Sequence, residues 1–170
     1  MTSIISFEPR WLTAARKYLG EKEVPGPGSN SKILAMTKSF SKWVRGFFTD
    51  DDIPWCALFV GACLAESGLP HTDSLAAASY STYGINLGHE PSLGAIMVFV
   101  RKGGGHVGFY TGETATAYRI LGGNQNNAVN ETWIAKDRLT AIRWPTGEPL
   151  PTTGRITLAN NGAPLSTNEA

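Results

Sequence analysis

Residues 94–113 read GAIMVFVRKGGGHVGFYTGE. At this stretch the chain changes period. Short runs rich in β-branched and aromatic residues begin here, at 94–100 and 106–112, and recur at 117–123 (AYRILGG) and 139–145 (LTAIRWP). Gly-rich or polar turns separate them, which predicts antiparallel strands. Upstream the spacing is helical. Phe7, Trp11, Leu12, Ala15, Tyr18 and Leu19 fall on one face, predicting a helix over 7–19 with Ser6 as N-cap and Gly20 as stop. Helices first and a sheet after make an α+β fold.

Between these halves lie a turn-rich loop, GEKEVPGPGSN (20–30), and a short helix in SKILAMTKSF (31–40). SKWVRGFFTDDD (41–52) reads as a loop or a weak extension of that helix. A third helix is predicted from near Pro54, since proline suits a first turn, with Asp50–Asp52 as capping acids. Its apolar run WCALFVGACL (55–64) is nearly unbroken, so it is expected to be central and covered on most sides. LAAASYSTYG (75–84) reads as a further short helix.

The chain has 170 residues, a length that fits one domain. The domain is expected over 1–145. Residues 146–170, rich in Pro, Thr, Asn and Gly, read as a flexible tail or linker. The net charge of +1 gives no steering toward nucleic acid or an acidic membrane. No apolar run approaches about 18 residues, so no membrane insertion is expected. MTSIISFEPRW lacks a secretory signal pattern; action outside the cytoplasm would need export, injection or release. Cys56 and Cys63 on one helix stand about 10 Å apart along its axis, beyond disulfide reach.

Three positions carry candidate chemistry. Cys56 opens the third helix, where backbone N–H groups favour a thiolate nucleophile; cysteine is equally a common core residue. His106 follows three glycines at the start of a strand, on the face opposite the core, where an imidazole can serve as base and acid or simply sit at a surface turn. Asn124, with Gln125 beside it in LGGNQNNAVN (121–130), offers a carboxamide to fix the imidazole tautomer or forms an ordinary hairpin loop. Cysteine, histidine and amide in that order match a papain-like site.

These motifs resemble the NlpC/P60 and CHAP superfamily of papain-like cysteine hydrolases, in particular small proteins of bacteria and phages. The resemblance rests on WLTAARKYLGEKEVPG (11–26), DDDIPWCALFVGACLAESGLP (50–70), GAIMVFVRKGGGHVGFYTGE (94–113), and LGGNQNNAVN with AIRWP (141–145). It implies a papain-like fold, N-terminal helices packed on an antiparallel sheet, and hydrolysis of a peptidoglycan amide in the stem peptide or the peptide–glycan link. By motif Cys56 is the nucleophile, His106 the general base and acid, and Asn124 the third group. Glu23 matches a recurrent family acid that lies near the site or braces a loop. Trp55, Gln125 and Tyr110 are supporting or substrate-binding candidates, and Tyr80 and Tyr83 either line the groove or belong to the core. Some CHAP relatives bind calcium through acids before the cysteine. TDDD (49–52) lacks spaced oxygens, so no metal or other cofactor is expected.

The implied partner is peptidoglycan, met by a monomer after release or delivery to the wall. A phage lysin would use a holin-type release system, and an antibacterial effector would have an immunity protein. The alternatives are a non-catalytic virion or wall-binding module and an intracellular amidase on a non-wall substrate.

Overall fold

The computed structural model describes residues 7–159 and 164–169. The strands are β1 (Ile85–Asn86), β2 (Ile96–Arg101), β3 (Gly104–Glu113), β4 (Ala117–Gln125), β5 (Ala128–Ala135) and β6 (Leu139–Trp144). They form one antiparallel sheet in the order β1-β6-β2-β3-β4-β5. With the helices that precede it, this is the expected α+β class. β2, β3, β4 and β6 coincide with the four predicted runs. β5 was not predicted: Asn130, Glu131 and Thr132 interrupt its apolar signal. It is a half-buried edge strand held by pairing with β4, as at Leu121↔Glu131 and Gly122↔Asn130.

Helix α1 spans Arg10–Arg16, shorter than 7–19. Pro9 precedes it without a side-chain cap, and Ser6 lies outside the described residues. Trp11, Leu12, Ala14 and Ala15 are buried, whereas Phe7 and Leu19 are exposed, so the buried stripe is narrower than the periodicity. The Trp11 indole donates to Gly94 O at 2.8 Å and meets Trp144 edge-on. Helix α2 (Ser31–Ala35) is capped by Asn30 and runs into a 3-10 turn over Met36–Ser39. Residues 42–47 form a separate helix, α3 (Lys42–Phe47), not an extension: Ser41 Oγ accepts from Val44 N and starts it afresh.

Helix α4 (Cys56–Glu66) is the central helix, and every residue from Cys56 to Leu64 is buried. It begins at Cys56, with Trp55 at the N-cap position and no side-chain cap. Asp50–Asp52 do not cap it. Asp51 turns the other way and accepts from Val24 N (3.0 Å) and Asn30 N (2.7 Å), tying the 20–30 loop to the approach of α4. LAAASYSTYG contains a 3-10 turn, Ala77–Thr82.

The face of α4 lies on β3 and β4, and Gly123 sets how closely. A Cβ there would stand 2.6 Å from Phe59 Cβ and 2.7 Å from the Trp55 ring. Gly123→Ala is therefore expected to force helix and strand apart and to destabilise by about 1–3 kcal/mol. Chemical denaturation checks this; an unchanged midpoint would show that the contact relaxes without cost.

The C-terminal residues do not behave as the expected free tail. Glu113 N donates to Ile156 O, Leu158 N donates to Glu113 O, and Leu158 packs over Gly112. Arg155 bonds both carboxylate oxygens of Glu113 at 3.0 Å, and Tyr110 and Lys136 share the same carboxylate. Burial pushes the Glu113 carboxyl up, but these donors outweigh it and hold the pKa below the ordinary value. Further on, Leu165 bridges Trp133, and Glu169 pairs with Arg138. The apolar and ionic contacts come from scattered residues, which composition averages away.

Candidate functional site

His106 was expected on the solvent face of its strand. It is fully buried, as is the rest of β3 to Glu113, because α4 and the C-terminal residues leave neither face open. Its Nε2 lies 2.9 Å from Gln125 Oε1. The Gln125 amide nitrogen donates to Asn130 O (2.8 Å), Asn130 Oδ1 (3.0 Å) and Ile120 O (3.2 Å). Those acceptors orient the carboxamide so that its oxygen faces the ring. A carbonyl oxygen only accepts, so Nε2 must carry the proton. In the neutral ring Nδ1 then holds a lone pair. Nδ1 is buried and makes no hydrogen bond among the described residues.

The imidazole partner is thus Gln125, not Asn124. Asn124 is also buried, but its backbone is left-handed at φ 57°. The β4–β5 register moves from Gly122↔Asn130 to Gln125↔Ala128. Three steps on β4 match two on β5, so one extra residue is inserted. This bulge brings Gln125, rather than Asn124, onto the face of Gly122. Gly122 makes the contact feasible: a Cβ there would stand 2.6 Å from Gln125 Oε1 and 3.3 Å from His106 Nε2.

Cys56 lies at the first turn of α4 against the backbone of β3. Burial pushes the Cys56 thiol up. The N–H groups of Val107 and Ala57 and the charge of Arg101 pull the other way without overcoming it. Burial likewise lowers His106 to about 4, against the Gln125 hydrogen bond, with Arg138 and Arg101 lowering it further. At neutral pH Cys56 therefore rests as the thiol and His106 as the neutral imidazole. The helix start does not by itself produce the expected thiolate, because desolvation of the anion outweighs it.

Cys56 opens onto a groove of about 570 Å³. The sheet side of the groove comes from Val98–Arg101 of β2 and Gly104–Gly105 of β3; residues Leu75–Ala78 and Ser81 face them. Gly104 and Gly105, before His106, thus border the groove. Arg101 and Thr140 also line it and were not singled out in the sequence. The signal for Arg101 was the cation pair Arg101–Lys102 that closes the apolar run GAIMVFV.

The remaining candidates do not line this groove. Trp55 is fully buried, and its indole donates to Glu23 Oε1 at 2.7 Å. Glu23 N donates to Asn127 O at 2.9 Å, so Glu23 braces its loop against the β4–β5 turn. Burial, opposed by the Trp55 bond and reinforced by Asp50–Asp52, raises the Glu23 carboxyl. Tyr110 faces Glu113 and Ile156. Tyr80 is core, and Tyr83 donates to Pro70 O at 2.6 Å. Cys56 and Cys63 are both free thiols. A smaller cavity of about 190 Å³, bordered by Tyr18, Met36 and Glu66, contains none of the candidates.

Among the described residues, Asp50, Asp51 and Asp52 are the one cluster with carboxylate oxygens within 4.8 Å of one another. Asp51 Oδ1 is buried without a partner. This trio is the place where a hard cation could find oxygen ligands, but it lies outside the groove lining. No described helix is long and apolar enough to cross a membrane. Compared with known proteins, the chain matches no family model, no curated protein and no solved structure.

Proposed function

We propose that this chain is a papain-like cysteine hydrolase of the NlpC/P60–CHAP kind that cleaves an amide bond of peptidoglycan. The observation that carries the reading is the His106 ring. Its Nε2–H is committed to Gln125, its Nδ1 is buried with no partner among the described residues, and the N–H of Val107, the next residue on the strand, bears on the Cys56 thiol. A histidine serving only the core would be expected to use both nitrogens.

The chemistry follows from that arrangement. Cys56 Sγ attacks the amide carbonyl as its proton passes to His106 Nδ1, so thiolate and imidazolium exist only with substrate in place. The Cys56 backbone N–H, in the first turn of α4, stabilises the oxyanion. The tetrahedral adduct collapses, the C–N bond breaks, and Nδ1–H protonates the leaving amine. Water then gives a proton to Nδ1 and its oxygen to the thioester carbon, releasing the acid and restoring the thiol. Gln125 Oε1 accepts from Nε2–H throughout and stabilises the transient cation. Water exclusion by the buried site strengthens each of these interactions.

The test is digestion of purified peptidoglycan with products read by mass spectrometry, and Cys56→Ala as control. Wild type is expected to release fragments whose masses identify the bond, and Cys56→Ala to release none while remaining folded. Equal release by both proteins would remove Cys56 as nucleophile. No release by folded wild type from several peptidoglycan chemotypes would favour a wall-binding or virion module, or a non-wall substrate.

A further inference from the structure

The groove at Cys56 is small and apolar along most of its length, from Ala76, Ala77, Val98 and Gly105, with hydroxyls at Ser81 and Thr140. It has one charged residue, Arg101. The guanidinium is held on one side by backbone: Nε donates to Gly105 O at 3.4 Å and Nη1 to Lys102 O at 3.3 Å. Its other nitrogen, Nη2, donates to nothing among the described residues, and Arg101 makes no ion pair there. Arg138 nearby is different, because Glu169 occupies it. The Arg101 charge bears on both Cys56 and His106. The groove thus carries one cation beside Cys56, anchored by backbone on one side and without an ion-pair partner among the described residues.

We infer that Arg101 is the specificity-determining residue of this groove and that the ligand it selects is a peptide bearing a free carboxylate next to the bond presented to Cys56. Planar guanidinium and carboxylate match geometrically, and the apolar walls reduce screening by water. The register of the groove also fits: Arg101 pairs with Gly104 and Val100 with Gly105, so cation and glycine-lined floor belong to one hairpin, directly before His106. The inference rests on the hydrolase reading only for which bond neighbours the carboxylate.

Binding separates the two. In the Cys56→Ala background, calorimetry compares a stem tetrapeptide carrying free carboxylates with the same peptide amidated, with and without Arg101→Gln. The free-acid peptide is expected to bind about tenfold or more tightly than the amidated one, and Arg101→Gln to erase the difference. Arg101→Lys should restore part of it. Equal affinities for the two peptides, absence of binding by both, or a preference that survives Arg101→Gln would overturn the inference. Digestion by wild type is scored independently. Cleavage without carboxylate preference would leave the hydrolase standing and remove the role of Arg101, whereas Arg101-dependent binding without cleavage would do the reverse.

Discussion

Gln125→Leu is expected to lower the hydrolysis rate about a hundredfold or more while leaving Cys56 and His106 in place. The leucine keeps most of the volume but offers no acceptor. The His106 ring then loses the one contact that assigns its proton to Nε2, and the Nδ1–H tautomer, which lacks the Nδ1 lone pair that the proposed mechanism uses, gains population. Losing the group that fixes a catalytic imidazole costs up to about 10⁴ in rate in the serine-protease triad. A buried Nε2–H without a partner also costs about 1–3 kcal/mol of stability. Rate alone would not separate positioning from general damage, so the ring nitrogens should be read directly. Nitrogen NMR of His106 is expected to show one protonated Nε2 and one bare Nδ1 in the wild type, and a mixture in Gln125→Leu. An unchanged tautomer with reduced activity would make Gln125 a structural residue only. Asn124→Gly gives the contrast, since glycine keeps the left-handed backbone of the bulge and Asn124 does not bond the ring: it should leave the tautomer unchanged.

The second large effect is on acid stability. The folded His106 has its pKa lowered to about 4, chiefly by burial, against about 6.5 in an unfolded chain. The unfolded state therefore binds more protons between these values, and stability rises with pH across the window. The contribution is complete above about pH 6.5 and is lost as pH falls toward 4. It amounts to about 3 kcal/mol at about 1.4 kcal/mol per unit. Arg101 and Arg138 act in the same direction as burial. The measurement is denaturant unfolding of wild type and His106→Leu at intervals from pH 7 to pH 4. The difference between the two curves is expected to narrow by about 3 kcal/mol on acidification, because only the wild type must bury a ring that prefers to charge. Parallel curves would mean that the imidazole is less enclosed than the fold indicates. In the proposed mechanism the same titration sets the low-pH limit of activity, since a protonated Nδ1 cannot take the proton of Cys56.

Glu23 and Trp55 show why site candidates and core candidates are hard to separate in one dimension. Both flank the motif cysteine or its loop in ways that suit a groove, yet their partners are each other and the β4–β5 turn. The reverse holds for Arg101, which looked like an ordinary hairpin cation and is the groove's one charge.

What the sequence alone determined is the part written in local period and composition. The near-continuous apolar run of α4 required burial all round. The runs at β2, β3, β4 and β6 announced strands, and His106 followed by an amide in 124–125 pointed to the buried His106–Gln125 contact. Edge strand β5 escaped because backbone pairing, not side-chain burial, holds it in place. The choice between Asn124 and Gln125 belonged entirely to tertiary structure. Strand alternation places neighbours on opposite faces, and a single extra residue reverses the assignment. That residue is the bulge between Gly122 and Gln125, made where Asn124 turns left-handed. Only the paired strands fix that register, and with it the amide that meets the ring and the nitrogen of His106 that carries the proton.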